Sequence, residues 1–175
     1  MVYSAISAGA GGLAYRFHIP WSKKPEWGKE GRDRMIDEVT KVNCEIRQMQ
    51  DYLAMGFPRP IAQVSDPKIQ VTCIDALPKG MVLILINHDV TRSPPELPPA
   101  VEANEHRDVT IELVIPEGFA VESISEINGS RRSTIDTMSR EDRKLKINVS
   151  SIGATKVLLV KTEPLPYDKE EDAMK

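Results

Sequence analysis

Histidine, cysteine, serine and the carboxylates are the side chains here that could do chemistry, and their spacing argues against most of it. His18, His88 and His106 lie in three different segments. With no HExxH and no second ligand at helical or hairpin spacing, they predict no metal site. Asn87-His88-Asp89, at the end of an apolar run, reads instead as a turn closed by its Asn and Asp side chains. Cys44 and Cys73 are the only cysteines. Both sit in apolar patterns and read as buried thiols, with a bridge between them left open, because bonding needs Cα atoms within about 7 Å. GxSxG and SxxK are absent, and no serine has a neighbouring base. The 26 acidic residues offer many pairs, but general acid and base work needs two carboxylates converging across a cleft. Glu102, Glu105 and Asp108 read as a solvated loop. No catalytic residue and no cofactor is predicted.

The glycine-rich, basic and aromatic patterns call for the same scrutiny. In AGAGGLAYRFHIPW, residues 8 to 21, the glycines follow a helix-like segment and precede a strand-like one. A dinucleotide fingerprint needs the opposite order, so that phosphate meets a helix N-terminus; a helix-to-strand turn is expected. Arg131, Arg132, Arg140, Arg143, Lys144 and Lys146 are interleaved with Asp136, Glu141 and Asp142 and carry no aromatic ring. Single-strand binders set aromatic platforms beside their charges, so this is a solvated hairpin face. A formal net charge of −3 supplies no global basic field, and neither nucleic acid nor a membrane surface is expected as a partner. Asn128-Gly-Ser and Asn148-Val-Ser fit the glycosylation sequon, which matters only in a eukaryotic secretory setting. Tyr15, Phe17, His18, Trp21 and Trp27 crowd together in a chain that is only 5% aromatic. Two readings stay open: rings stacking on sugar, or a plug for a local core.

The elements that must position these residues change character near residue 57. Residues 2–8 look like the last turns of a small-residue helix, stopped by Gly9 or Gly11, and 12–17 like a short strand. From Arg32 to Met55 the apolar residues Met35, Val39, Val42, Ile46, Met49 and Leu53 recur at helical spacing, with Glu45 among the residues assigned to the surface. Gly56 ends this helix, and Pro58 and Pro60 keep it from resuming. Beyond it the period falls to two. Residues 69–74, 81–87, 109–115, 121–127, 145–149 and 157–161 read as strands, with a proline-rich connection over 90–108 and a type I′ turn at Asn128-Gly129. The run MVLILI at 81–86 must be covered on both faces or nearly so. The fold class expected is mainly β with an N-terminal α/β segment: an antiparallel sandwich of about six to eight strands, preceded by a short strand and one long amphipathic helix. The division expected is 1–57, then the sandwich over 58–163, then a flexible tail over 164–175. No run approaches the roughly 20 apolar residues of a membrane span. Residues 1–14 hold no Lys or Arg, so no leader is read there; a secreted or periplasmic location would need one upstream.

The order of these segments resembles the C-terminal end of barrel-type glycoside hydrolases of the β-galactosidase-like kind. The residues that carry it are GAGGLAYRF, the segment RDRMIDEVTKVNCEIRQMQDYLAMG with its Asn-Cys-Glu-Ile, VTCIDALPKGMVLILINHD and VTIELVIPEG. The resemblance implies a last barrel strand and helix running into a β-sandwich. It also implies that the catalytic carboxylates belong to earlier strands with no counterpart here, so that the chain alone would not catalyse. Trp21, with His18 as a weaker candidate, would inherit the aromatic sugar contact that follows the last barrel strand, with Trp27 and Tyr15 beside it. The stripe Met35, Val39, Val42, Ile46, Met49 and Leu53 would then face the rest of a barrel domain or a second copy of the chain, unless it folds onto the sandwich. Leaving about four such side chains in water would forgo on the order of 6 to 12 kcal/mol. The function expected is a non-catalytic C-terminal module with carbohydrate as a possible ligand. The alternative is a self-standing sandwich binding carbohydrate or protein and oligomerising through its helix.

Overall fold

The structure, a computed structural model, describes residues 2–10, 28–92, 101–136 and 138–166. Among these residues, two helices, α1 (Val2–Ser7) and α2 (Gly28–Met55), precede twelve strands. These are β1 (Phe57–Arg59), β2 (Ala62–Val64), β3 (Ile69–Asp75), β4 (Gly80–Asn87), β5 (Val90–Arg92), β6 (Val101–Ala103), β7 (His106–Val114), β8 (Phe119–Asn128), β9 (Arg131–Thr134), β10 (Met138–Glu141), β11 (Lys144–Ile152) and β12 (Thr155–Pro164). The chain is mainly β, as the alternating segments predict, and every strand pairing is antiparallel. The six long strands are those read from the sequence. The additional ones are only three or four residues long. Gly9, at φ 88°, stops α1.

Six strands form one sheet in the order β1-β3-β4-β12-β8-β9, four form a second in the order β10-β11-β7-β2, and β5 and β6 make a small two-stranded arm. Period-two geometry sends alternate side chains to opposite faces. On β4, Met81, Leu83 and Leu85 therefore enter the core between the sheets, where they meet Ile111, Leu113, Leu145 and Ile147. The intervening Val82, Ile84 and Ile86 point the other way, into a second apolar layer under the helices, with Tyr3, Ile6, Met49, Tyr52, Val157 and Leu159. The uninterrupted MVLILI run is thus buried on both faces. The β3–β4 hairpin passes through a cis Leu77–Pro78 bond, and Gly80 follows at φ 136°. A side chain at Gly80 would sit 2.2 Å from the Val160 carbonyl oxygen, so only glycine lets β12 lie this close.

The helix layer departs from the expected stripe. Met49 is fully buried, and Val42, Ile46 and Leu53 are half-buried against the sheet. The fully covered ridge, however, runs Glu45–Met49–Tyr52, a 4-then-3 spacing rotated from the stripe read by hydropathy. Glu45 was expected on the surface and is 5% exposed. It tolerates burial because its carboxylate accepts from the Tyr3 hydroxyl and from the Gly129 amide at 2.8 Å, which satisfies both oxygens. Met35 and Val39, nearer the start of α2, are half-buried and lie outside that apolar layer. At the far end of α2, Gly56 abuts β3 so closely that a Cβ would stand 2.6 Å from Ile74 Cγ2.

Two other expectations shift in detail. The turn after β8 is centred on Gly129-Ser130, since Asn128 pairs with Arg131. Only Gly129 has positive φ, the pattern of a type II′ turn in place of the expected I′. The 90–108 connection is not structureless: Val90 pairs with Ala103 to start the β5–β6 arm. The strand expected at 12–17 and the tail beyond 166 lie outside the described residues.

Candidate functional site

A cleft of about 80 Å³ opens where α1 and α2 cross the outer face of the six-stranded sheet. Its lining includes Glu38, Lys41 and Glu45 from successive turns of α2, Tyr3 from α1, and the Glu126 and Lys156 positions of β8 and β12. Spacings of three and four along α2 place its three charged residues on one face. Across the sheet, Leu158 pairs with Glu126, so Lys156, two residues away on the same face of β12, reaches Glu126 diagonally. Its Nζ bonds Oε2 at 2.9 Å. Gln48 Nε2 adds a bond to the Gly129 carbonyl at 2.6 Å. The two inner carboxylates are thus each committed, Glu45 to Tyr3 and Gly129, Glu126 to Lys156. The volume holds a few water molecules and falls well below the roughly 300 Å³ of a small-molecule pocket. The bonds of Glu45 and Gln48 fasten α2 to α1 and to the β8–β9 turn, whereas Glu126 and Lys156 alternate with the helix-facing Ile127 and Val157 and pair on the face of the sheet shared with Ile124 and Leu158.

A second polar cluster lies at the end of the sandwich where β3, β4 and β7 meet. Asn87, buried at the end of β4, donates from Nδ2 to the carbonyls of Asn104 at 2.7 Å and Gly153 at 2.9 Å. Its Oδ1 accepts the Asp89 amide at 2.7 Å, the side-chain turn that Asn87-His88-Asp89 predicts. His106 Nδ1 lies 2.5 Å from Asp66 Oδ2 and Nε2 lies 3.2 Å from Asp89 Oδ2, while Lys68 Nζ meets Asp89 at 2.8 Å. The Lys68 amide and then the His106 ring hold the Asp66 carboxyl below its ordinary value. Lys68 does the same for Asp89, and Asp66 chiefly raises the His106 imidazole. Sequence reasoning treated the histidines one by one. Nothing in linear spacing brings 66, 89 and 106 together; the crossing of β2 into β3 brings Asp66, and the pairing of β5 with β6 returns the chain beside Asp89.

Tyr15, His18, Trp21 and Trp27, the sugar-contact candidates, lie outside the described residues. The basic residues Arg131, Arg132, Arg140, Arg143 and Lys144 are exposed on the β8–β9 and β10–β11 hairpins, as a solvated face requires. Cys44 is half-buried and Cys73 buried; both are free thiols. Burial pushes the Cys73 thiol up to about 12, which leaves it unreactive. Among the described residues, no group of three or more His, Cys, Asp or Glu side chains is placed to hold a metal, and no helix is long and apolar enough to cross a membrane.

No family model matches the sequence, and no curated protein matches it. Solved structures do resemble the fold. A cycloisomaltooligosaccharide glucanotransferase of a Paenibacillus species, complexed with cycloisomaltoheptaose, superposes with a TM-score of 0.56 at 7% identity, over 73% of this chain and 21% of that one. The α-L-fucosidase isoenzyme 2 of Paenibacillus thiaminolyticus gives 0.45 at 10% identity, over 78% of this chain and 19% of that one. The chain spans about a fifth of the length of these proteins.

Proposed function

We propose that this chain is a non-catalytic C-terminal module of a glycoside-hydrolase-like protein of the β-galactosidase-like kind. Its sandwich supports a barrel, and Tyr15, His18, Trp21 and Trp27 contribute sugar contacts. The observation that carries the reading is the fold likeness to the glucanotransferase chain, of which this sequence spans 21%: a large carbohydrate-active protein contains a piece of this shape. The commitment of Glu45 and Glu126 to structural partners supports a supporting role over a catalytic one. Trp21 and Trp27 are the only tryptophans, so intrinsic fluorescence reports directly on the proposed contact. Titration with galactosides and isomaltooligosaccharides is expected to change the emission, and Trp21→Phe to remove most of that change. Nitrophenyl glycosides are expected to stay intact; turnover that survives repeated purification would overturn the non-catalytic reading.

A second reading, a self-standing module that oligomerises through α2, is favoured by one observation: Ile36 is 52% exposed beside the half-buried Met35 and Val39. Light scattering separates the two. A monomer is expected of a module awaiting its barrel, whereas a stable dimer dispersed by Ile36→Lys would establish the alternative.

A further inference from the structure

His106 stands at the first residue of β7, 14% exposed, and joins parts of the chain that belong to different sheets. Asp66, against Nδ1, lies on the connection that carries the chain from β2 in the four-stranded sheet to β3 in the six-stranded one. Asp89, against Nε2, lies between β4 and the β5–β6 arm. A neutral imidazole has one N–H, so it can donate to one of these carboxylates and must turn a lone pair toward the other. An imidazolium donates to both.

The surroundings show what else faces the ring. Lys68 supplies a cation to Asp89 at 2.8 Å. Glu105 and Arg107, the residues flanking His106, pair with each other at 2.9 Å. His88 Nε2 is taken up by Gln70 Oε1 at 3.0 Å. The base of the arm is closed by the Asn104 amide, which donates to the Asp89 carbonyl at 2.9 Å, and by the Val90 amide on the His88 carbonyl. Lys68, on the β2–β3 connection, ties Asp89 to it directly; His106 ties the arm's base to the same connection from β7, through opposite sides of a single ring.

We propose that His106 is a pH-operated latch for the β5–β6 arm, closed while each ring nitrogen carries a proton and released at Asp89 when one leaves. The departing proton is the one on Nε2, because Nδ1 has the shorter contact; it passes to solvent and leaves a lone pair facing the Asp89 carboxylate. Lys68 keeps its hold on Asp89, so the release loosens the arm and leaves the sandwich intact.

The direction of the pH response follows from the two kinds of group. The imidazole is raised in the folded chain from its ordinary 6.5, so its contribution is complete below 6.5 and is lost as pH rises through the folded value. Asp66 and Asp89 are lowered from 3.8, so theirs is complete above 3.8 and is lost as pH falls through their folded values. The latch is fully closed between 3.8 and 6.5 and opens on the alkaline side.

Amide exchange and ring-proton shifts of the full chain, followed by NMR across pH 4 to 9, test this. His106 is expected to titrate above 6.5, and the protection of the Asn104 amide, corrected for the intrinsic rate, to fall about tenfold across that midpoint, the scale of losing one hydrogen bond to a charged group. Amides of β7 that face β11 should not follow. His106→Gln, which stays neutral, should hold Asn104 protection constant over the same range. Should that variant fail to fold, Asp89→Asn replaces it and should lower the His106 midpoint. A midpoint at or below 6.5 in the unaltered protein, an equal fall at Asn104 in His106→Gln, or an unmoved midpoint in Asp89→Asn would each overturn the proposal.

Discussion

The two sheets of the sandwich share one interior but face different surroundings on their outer sides, and their sequences differ accordingly. The outer face of the six-stranded sheet lies under α1 and α2, so β4 is apolar at every position from Met81 to Ile86. The outer face of the four-stranded sheet carries Thr110, Glu112, Lys146 and Asn148, exposed or half-buried, so β7 and β11 alternate. A sheet buried on both sides reads as a continuous apolar run, and a sheet with one wet side as an alternation. The lesson is that residue pattern reports the number of covered faces more directly than it reports the partner that covers them.

The comparison can be broken most severely at Ile84, fully buried under the helices. Ile84→Lys buries an unpaired ammonium and is expected to cost more than about 4 kcal/mol, enough to abolish a cooperative urea transition. Leu83→Ala and Leu113→Ala face each other's sheet across the shared interior, and both are fully buried. Each should cost about 2 to 5 kcal/mol, with urea midpoints falling together, because the inner faces are equivalent. Glu45→Ala strips the Tyr3 hydroxyl and the Gly129 amide of their acceptor. A loss of about 1 to 3 kcal/mol is expected, and amide exchange should accelerate in the helices before the strands. The smallest effect belongs to the wet face: Glu112→Ala, whose nearest cation Lys146 is 3.9 Å away, should move the midpoint by less than about 0.5 kcal/mol.

Much of the fold was legible because burial leaves a periodic trace. The long helix and the one-side-wet strands repeat with the period of their own geometry, and β4 shows itself as an unbroken apolar run. The short strands left no such trace. In β1 a proline interrupts three exposed residues, in β9 all four residues are polar and exposed, and each owes its pairing to a neighbour. Their composition also explains why they stop where they do: Pro58 and the Arg131-Arg132 pair sit on the two edges of the six-stranded sheet, where a missing donor or a repelling charge discourages further strands from adding. The candidate sites were less legible. Glu45 scores as surface by type, and only its two partners, 42 and 84 positions away in sequence, make its burial affordable. The His106 cluster likewise depends on separations of 40 and 17 positions. Pattern reading registers neighbours along the chain, whereas both clusters are made by the crossing of strands.

The place of β12 has a consequence for how such a chain comes into being. It is the last strand among the described residues, yet it lies in the middle of its sheet, joined on one side to β4 and on the other to β8. During synthesis, β3 and β4 emerge early and must wait with one edge open until the codons for residues 155–164 have been translated. The helices, made before the strands, can seat themselves only on a surface that includes Val157 and Leu159. The two helices therefore reach their final contacts only after β12 has left the ribosome, and a message cut short before residue 155 yields a product with no completed platform for them to fold upon.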